Sequence, residues 1–150
     1  VKTTLGSLLN GFVNYEYWAP VPTMMFPGVH KMMDAYQERT AASDTDPLGH
    51  YMAPLAYAQM QVVAQAIEAT GGLDDIILSN FTSEATFNTV MGDIQFGKNG
   101  EWAQPRVLQV QFRGIEGHEA RQFNDGSRQV VVSPTALASG ELIFPYAEAL

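Results

Sequence analysis

His30, His50 and His118 are the only imidazoles of the chain, and it contains no cysteine. No two of these histidines stand at i, i+4 or at any other close ligand spacing, so a zinc or iron site has no sequence basis. Disulfides and thiolate nucleophiles are excluded outright. Ser133 and the other serines sit in no G-x-S-x-G elbow, and their hydroxyls read as caps and turns. Two carboxylate pairs, Asp44/Asp46 and Asp74/Asp75, have the chemistry for acid–base work. Each falls in a segment that reads as exposed, where desolvation cannot tune a pKa. Gly97-Lys98-Asn99-Gly100 is too short for a phosphate loop and lies between strands, so it reads as a hairpin tip. With no nucleophile, base and orienting group to assemble, an enzyme is not expected, and neither is a metal or cofactor.

The pair His50-Tyr51 is different. It ends a polar loop and opens an apolar helix, a position from which side chains commonly face a cleft. Trp18 and Trp102 have two readings, lining a site or filling a core, and packing is the favoured one because a tryptophan buries much area wherever it goes.

The balance of eight basic against sixteen acidic residues gives a net charge of -8, which repels phosphate backbones and anionic lipid surfaces. Nucleic acid is therefore not an expected partner. The 150 residues, 46% of them hydrophobic and 11% aromatic, suffice for a sizeable core. No apolar run is long enough to span a bilayer, and the segment after Val1 has no signal-peptide pattern, so the expectation is either a cytosolic protein or a signal that lies upstream.

The elements that must position these residues follow from periodicity. Residues 11–18 alternate at period two, with Phe12, Asn14 and Glu16 on one face and Val13, Tyr15 and Tyr17 on the other, which predicts a strand. Pro20 and Pro22 then interrupt it and mark a crossing. Val29, Met32, Met33 and Tyr36 predict an amphipathic helix to about Thr40. A loop of turn formers, 42–49, leads to a helix over about 51–70 in which Glu68 is the only charge, closed by Gly71-Gly72. So apolar a helix is expected to be packed on most sides, with Gln59, Gln61 and Gln65 as neutral hydrogen-bonding groups. A short helix from Leu73 to about Phe81 carries Asp74 and Asp75 in its first turn. Two strands, 93–96 and from Glu101, are expected around Asn99-Gly100. After Pro105, residues 106–114 and 129–132 predict further strands, followed by an irregular tail. Helices in the middle and strands at both ends suggest that the chain visits more than one layer.

Taken together, "GFVNYEYWAP", "DPLGHYMAPLAYAQMQVVAQAIEATGG", "FNTVMGDIQFGKNGEW", "PRVLQVQFRG" and "RQVVVSP" resemble, in that order, the C-terminal part of the branched-chain amino acid type solute-binding proteins of bacterial ABC importers. The resemblance implies an α/β fold of the periplasmic binding protein type I, two Rossmann-like lobes, of which this chain is an incomplete C-terminal portion. Residues 1–18 would be the last strand of the C-terminal lobe and its hinge. Residues 19–104 would add helices and a hairpin to the N-terminal lobe, and 105–150 would cross back and close the C-terminal lobe. The implied activity is capture of an amino acid, or of a related aromatic or aliphatic carboxylate, by hinge closure, with delivery to a membrane permease of the ABC type in the periplasm. Tyr51 would set an aromatic ring against the ligand, and His50 is its neighbour by adjacency. The main polar contacts to ligand would lie in a missing N-terminal part of the same protein, and a homodimer of this portion alone is a further expectation. The alternative is a cytosolic ligand sensor or regulator of the same fold.

Overall fold

Strand β1 (Val13–Glu16) lies against β4 (Leu108–Phe112), although residues 17–107 separate them in the chain. The two are antiparallel, Val13 opposite Gln111 and Glu16 opposite Leu108, and β5 (Gln129–Ser133) completes a sheet of order β1-β4-β5. The computed structural model describes residues 2–43, 45–49 and 52–149, and the chain is mixed α/β.

β4 explains why this sheet forms where it does. Leu108, Val110 and Phe112 alternate along one face and are all buried, the clean period two of a half-covered strand. Gln111, on the other face, is buried as well, because its amide is used by the chain's tail: Nε2 donates to the carbonyls of Gly11 and Ile143, and Oε1 accepts from the Ile143 N–H. For β1 the polarity pattern misleads. Glu16, on the face it shares with Phe12 and Asn14, is 3% exposed, whereas Val13 and Tyr15 of the apolar-looking face are 44% and 58% exposed. Only Glu16 turns inward, since Phe12 and Asn14 of the same face stay exposed; it stands opposite the buried Leu108, where Lys2 neutralises it.

The segment between β1 and β4 builds α2 (Val29–Ala41), α3 (Ala53–Thr70), α4 (Asp75–Glu84) and the hairpin of β2 (Phe87–Thr89) with β3 (Gly92–Ile94). Ahead of β1, a short helix α1 (Lys2–Leu5) runs into a 3-10 turn ending at Leu9. Each helix has a local cause. Gly71, at φ 70, takes the left-handed position that ends α3, and its N–H bonds the Ile67 carbonyl. Asp74 caps α4 by accepting from the N–H groups of Ile76 and Ile77, both at 3.0 Å. The hairpin expected around Asn99-Gly100 is only partly formed. The regular ladder is β2 with β3, and the Gly97–Gly100 turn is closed by a single bridge, Phe96 opposite Trp102. Gly100 supplies the positive φ there, and no non-glycine residue does so among those described.

α3 corrects a second expectation. Only Pro54, Ala58, Val62 and Ala66, one stripe at four-residue spacing, are buried. Met60 is 65% and Val63 48% exposed, because α2, α4 and the hairpin, the elements that pack on the helix, cover only that stripe. On that side the neutral glutamines act as expected. Gln65 exchanges two hydrogen bonds with the backbone of Asn88, and the Gln61 amide oxygen accepts from the Val90 N–H. Phe87, 1% exposed between Val62, Phe81 and Phe96, anchors this contact, and burying such a ring contributes about 2–3 kcal/mol.

The main core is shared by both parts of the chain. It joins Trp18 and Val21 of the segment after β1, Val29 of α2, Met91 of the hairpin, and Leu108 and Val131 of the sheet. Gly126 fits the turn after residue 123 against the same segment, where an added Cβ would meet the Pro20 carbonyl.

Candidate functional site

His50 and Tyr51, the residues singled out from the sequence, lie outside the described residues, as does Asp44. The segment that delivers them is well defined. Asp46, Pro47, Leu48 and Gly49 are tied to α2: the Tyr36 hydroxyl donates to the Asp46 carbonyl at 2.8 Å, and Gln37 Nε2 donates to that of Pro47 at 3.0 Å. The Asp46 carboxylate folds the loop on itself by accepting from the Leu48 N–H at 2.8 Å. Burial, with the Asp46 charge adding to it, raises the Tyr36 pKa above its ordinary value, so this hydroxyl remains a donor at physiological pH. Leu48 then buries itself against Leu9, Phe112, Ile115 and Phe123.

Between this loop and β1 lies a cleft of about 540 Å³. Its walls are Asp46 and Leu48 on one side and the five consecutive residues 12–16 on the other, with Lys2, Thr3, Leu9 and Phe112 completing it. That volume is in the range of small-molecule sites. A smaller hollow of about 260 Å³ touches Trp18, His30 and Asp34.

The cleft is amphoteric. Lys2 Nζ stands 3.0 Å from Glu16 Oε1, donates to Gln129 Oε1 at 2.8 Å and lies 5.5 Å from the centre of the Phe112 ring. Gln129 in turn donates through Nε2 to the Phe123 carbonyl at 2.6 Å. The buried carboxylate is thus matched by one ammonium, as burial of a charge requires. Asp46 is exposed and adds a negative charge at the rim. The arrangement offers apolar surface, a cation, two carboxylates and a strand edge, and no nucleophile paired with a base.

No protein-family model matches the chain, and no curated protein matches it significantly. The site therefore rests on its own geometry.

The other sequence candidates are dispersed. His30 is exposed on α2, and His118 Nδ1 lies 2.7 Å from the Thr3 carbonyl. Among the described residues no three of His, Asp and Glu gather as metal ligands would. Asp74 and Asp75 begin α4 and stay exposed. Trp18 is core, and Trp102 stacks on Arg106. Sequence reasoning missed Lys2, Glu16 and Gln129. The available signal was an acidic residue in the middle of an aromatic strand, which is costly unless a partner awaits it.

Proposed function

We propose that the chain is the closing portion of a two-lobed solute-binding protein of the branched-chain amino acid type, which captures an amino acid or related small carboxylate for an ABC importer in the periplasm. The observation that carries this reading is the placement of the 540 Å³ cleft. It lies where a loop of the intervening helical segment, Asp46 to Leu48, meets a strand that precedes that segment. A site shared by two parts of the chain that are joined by crossings is what hinge closure requires, since a ligand stabilises the closed state only by touching both sides. β1 and β4 are neighbours in one sheet, and the segment α2 to β3 between them in the chain packs on that sheet through Val29 and Met91. The segment 46–49 also hands the chain directly to His50 and Tyr51, which the reading places beside the ligand. Folding in the periplasm and docking on a membrane permease belong to the same proposal.

The test is a thermal-shift screen of amino acids and of aromatic and aliphatic carboxylates against the full-length gene product. A ligand at one hundred times its Kd should stabilise by about 2.7 kcal/mol. Tyr51→Ala should weaken the hit. A panel without any shift removes the proposal, and an unchanged affinity in Tyr51→Ala removes Tyr51 from the site.

A further inference from the structure

Among the described residues the outer edge of β1 is unpaired, and the hydrogen bonds at its start fix which of its backbone groups face outward. The Phe112 N–H donates to the Phe12 carbonyl at 2.9 Å, while the Phe112 carbonyl accepts from Gly11, which at φ 84 forms a bulge beside Phe12. Phe12 and Phe112 are therefore a hydrogen-bonded pair. In an antiparallel ladder such pairs alternate, so Asn14 and Glu16 direct their backbone groups to β4. Val13 and Tyr15 direct theirs away from it, to the open side. Two N–H donors and two carbonyl acceptors thus stand along a cleft that runs beside all five residues 12–16. Among the described residues none pairs with them. No proline or lysine stands in Val13–Glu16 to block the addition of a strand.

We infer that the ligand of this cleft is a short extended peptide, two to four residues long, that adds to the edge of β1. The inference rests on reading the cleft as the solute site and narrows the class of solute. Val13 and Tyr15 are two residues apart, about 6.8 Å along a strand, which is also the repeat of the amide groups facing one side of an extended peptide. A free amino acid can meet one of these residues, and a tripeptide meets both. Main-chain pairing of this kind tolerates varied side chains. Charge narrows the class further: Lys2 and Glu16 neutralise each other, which leaves Asp46 to favour a neutral or basic peptide. The net charge of -8 opposes a second copy as occupant of the same edge.

Calorimetry with alanine, trialanine, trialanine methylated at its central nitrogen, Ala-Lys-Ala and Ala-Glu-Ala tests it. The expected order puts trialanine about tenfold tighter than alanine, the methylated form about tenfold weaker than trialanine, and Ala-Lys-Ala tighter than Ala-Glu-Ala. Tyr15→Pro removes one outward N–H without touching a bond to β4, and should lower trialanine affinity about tenfold with unchanged circular dichroism. Hydrogen exchange gives a second readout: the Val13 and Tyr15 amides should become protected when trialanine is added. Binding of alanine with no binding of any tripeptide overturns the peptide inference and leaves the solute-binding reading standing. Binding of neither, with no hit in the wider screen, overturns both. Protection of the two amides that follows protein concentration, not peptide, assigns the edge to a second copy and overturns the inference as well.

Discussion

The Lys2 ammonium and the Glu16 carboxylate, 3.0 Å apart, form an ion pair whose acidic side chain is 4% exposed and whose basic side chain is 16% exposed. Fourteen positions of chain separate them, and the pair closes α1 and the following turn over the end of β1. Lys2→Met keeps most of the apolar stem and leaves Glu16 buried without its counter-charge, which should cost about 3 kcal/mol. The double variant Lys2→Met/Glu16→Leu should recover to within about 1 kcal/mol of the parent, because desolvation of both charges is then avoided. Urea unfolding of the three proteins decides it. A Lys2→Met protein as stable as the parent would show that solvent already screens the pair.

Arg106 is held between two rings, 4.8 Å from the centre of Phe26 and 4.8 Å from that of Trp102, with Nη2 donating to the Met91 carbonyl. Its Nε is buried and has no hydrogen-bond partner among the described residues, and burial lowers the guanidinium pKa from its ordinary value. Stacking on both faces needs a flat cation, so Arg106→Lys should destabilise by about 1–2 kcal/mol although the charge is kept. Thermal melting with tryptophan fluorescence follows both the stability and the surroundings of Trp102.

Asp125 sets a pH dependence. Its carboxylate accepts from the Ser127 N–H at 2.8 Å, and hydrogen bonds from the Ser127 backbone and side chain, with the nearby Arg128 charge, hold its pKa below the usual 3.8. A group whose folded-state pKa is depressed adds stability above its unfolded value and loses it as pH falls through the folded one. The contribution is therefore present at neutral pH and fades below about pH 4. Asp125→Asn should lower stability at pH ~6 and lose less than the parent does on going to pH ~3. Equal losses in parent and variant would exclude the turn from the acid response.

Asp74 supplies both of its capping bonds through one oxygen. Asp74→Ala should cost about 1 kcal/mol, and Asp74→Ser should restore most of it. Asp75→Ala, one residue on, should cost less, since Asp75 acts only through the helix dipole. Chemical denaturation ranks the three.

The exposed sides of α3 and α4 present Met60 at 65%, Val63 at 48%, Ile76 at 73% and Ile77 at 54% exposure. A surface this apolar favours association. Light scattering at high salt, which screens the net charge of -8, should show self-association that rises with concentration, and Met60→Lys/Ile76→Lys should reduce it while changing stability by no more than about 1 kcal/mol. Scattering that is flat with concentration in the parent would mean that the patch is inert.

Much of the fold was legible in the sequence because it depends on local rules. The glycine that ends α3, the aspartates that open α4, the prolines that interrupt β1 and the alternation of residues 108–112 each act within a few residues of their own position. The candidate site was far less legible. His50-Tyr51 drew attention through its local setting, whereas the cleft is made by Lys2, the β1 edge and Asp46, which meet only in space.

By itself the sequence determined the mixed α/β class, the stop of α3 and the start of α4, the surplus of negative charge and the lack of thiol chemistry. All of these follow from residue types and short spacings. The tertiary structure alone decided that Glu16 at the end of β1 turns inward while Asn14 stays exposed, that a lysine near the start of the chain neutralises Glu16, and that an apolar helix leaves Met60 and Val63 in solvent. Those outcomes depend on which distant strand supplies the register and which elements are at hand to cover a face, and neither is encoded in any one stretch of chain.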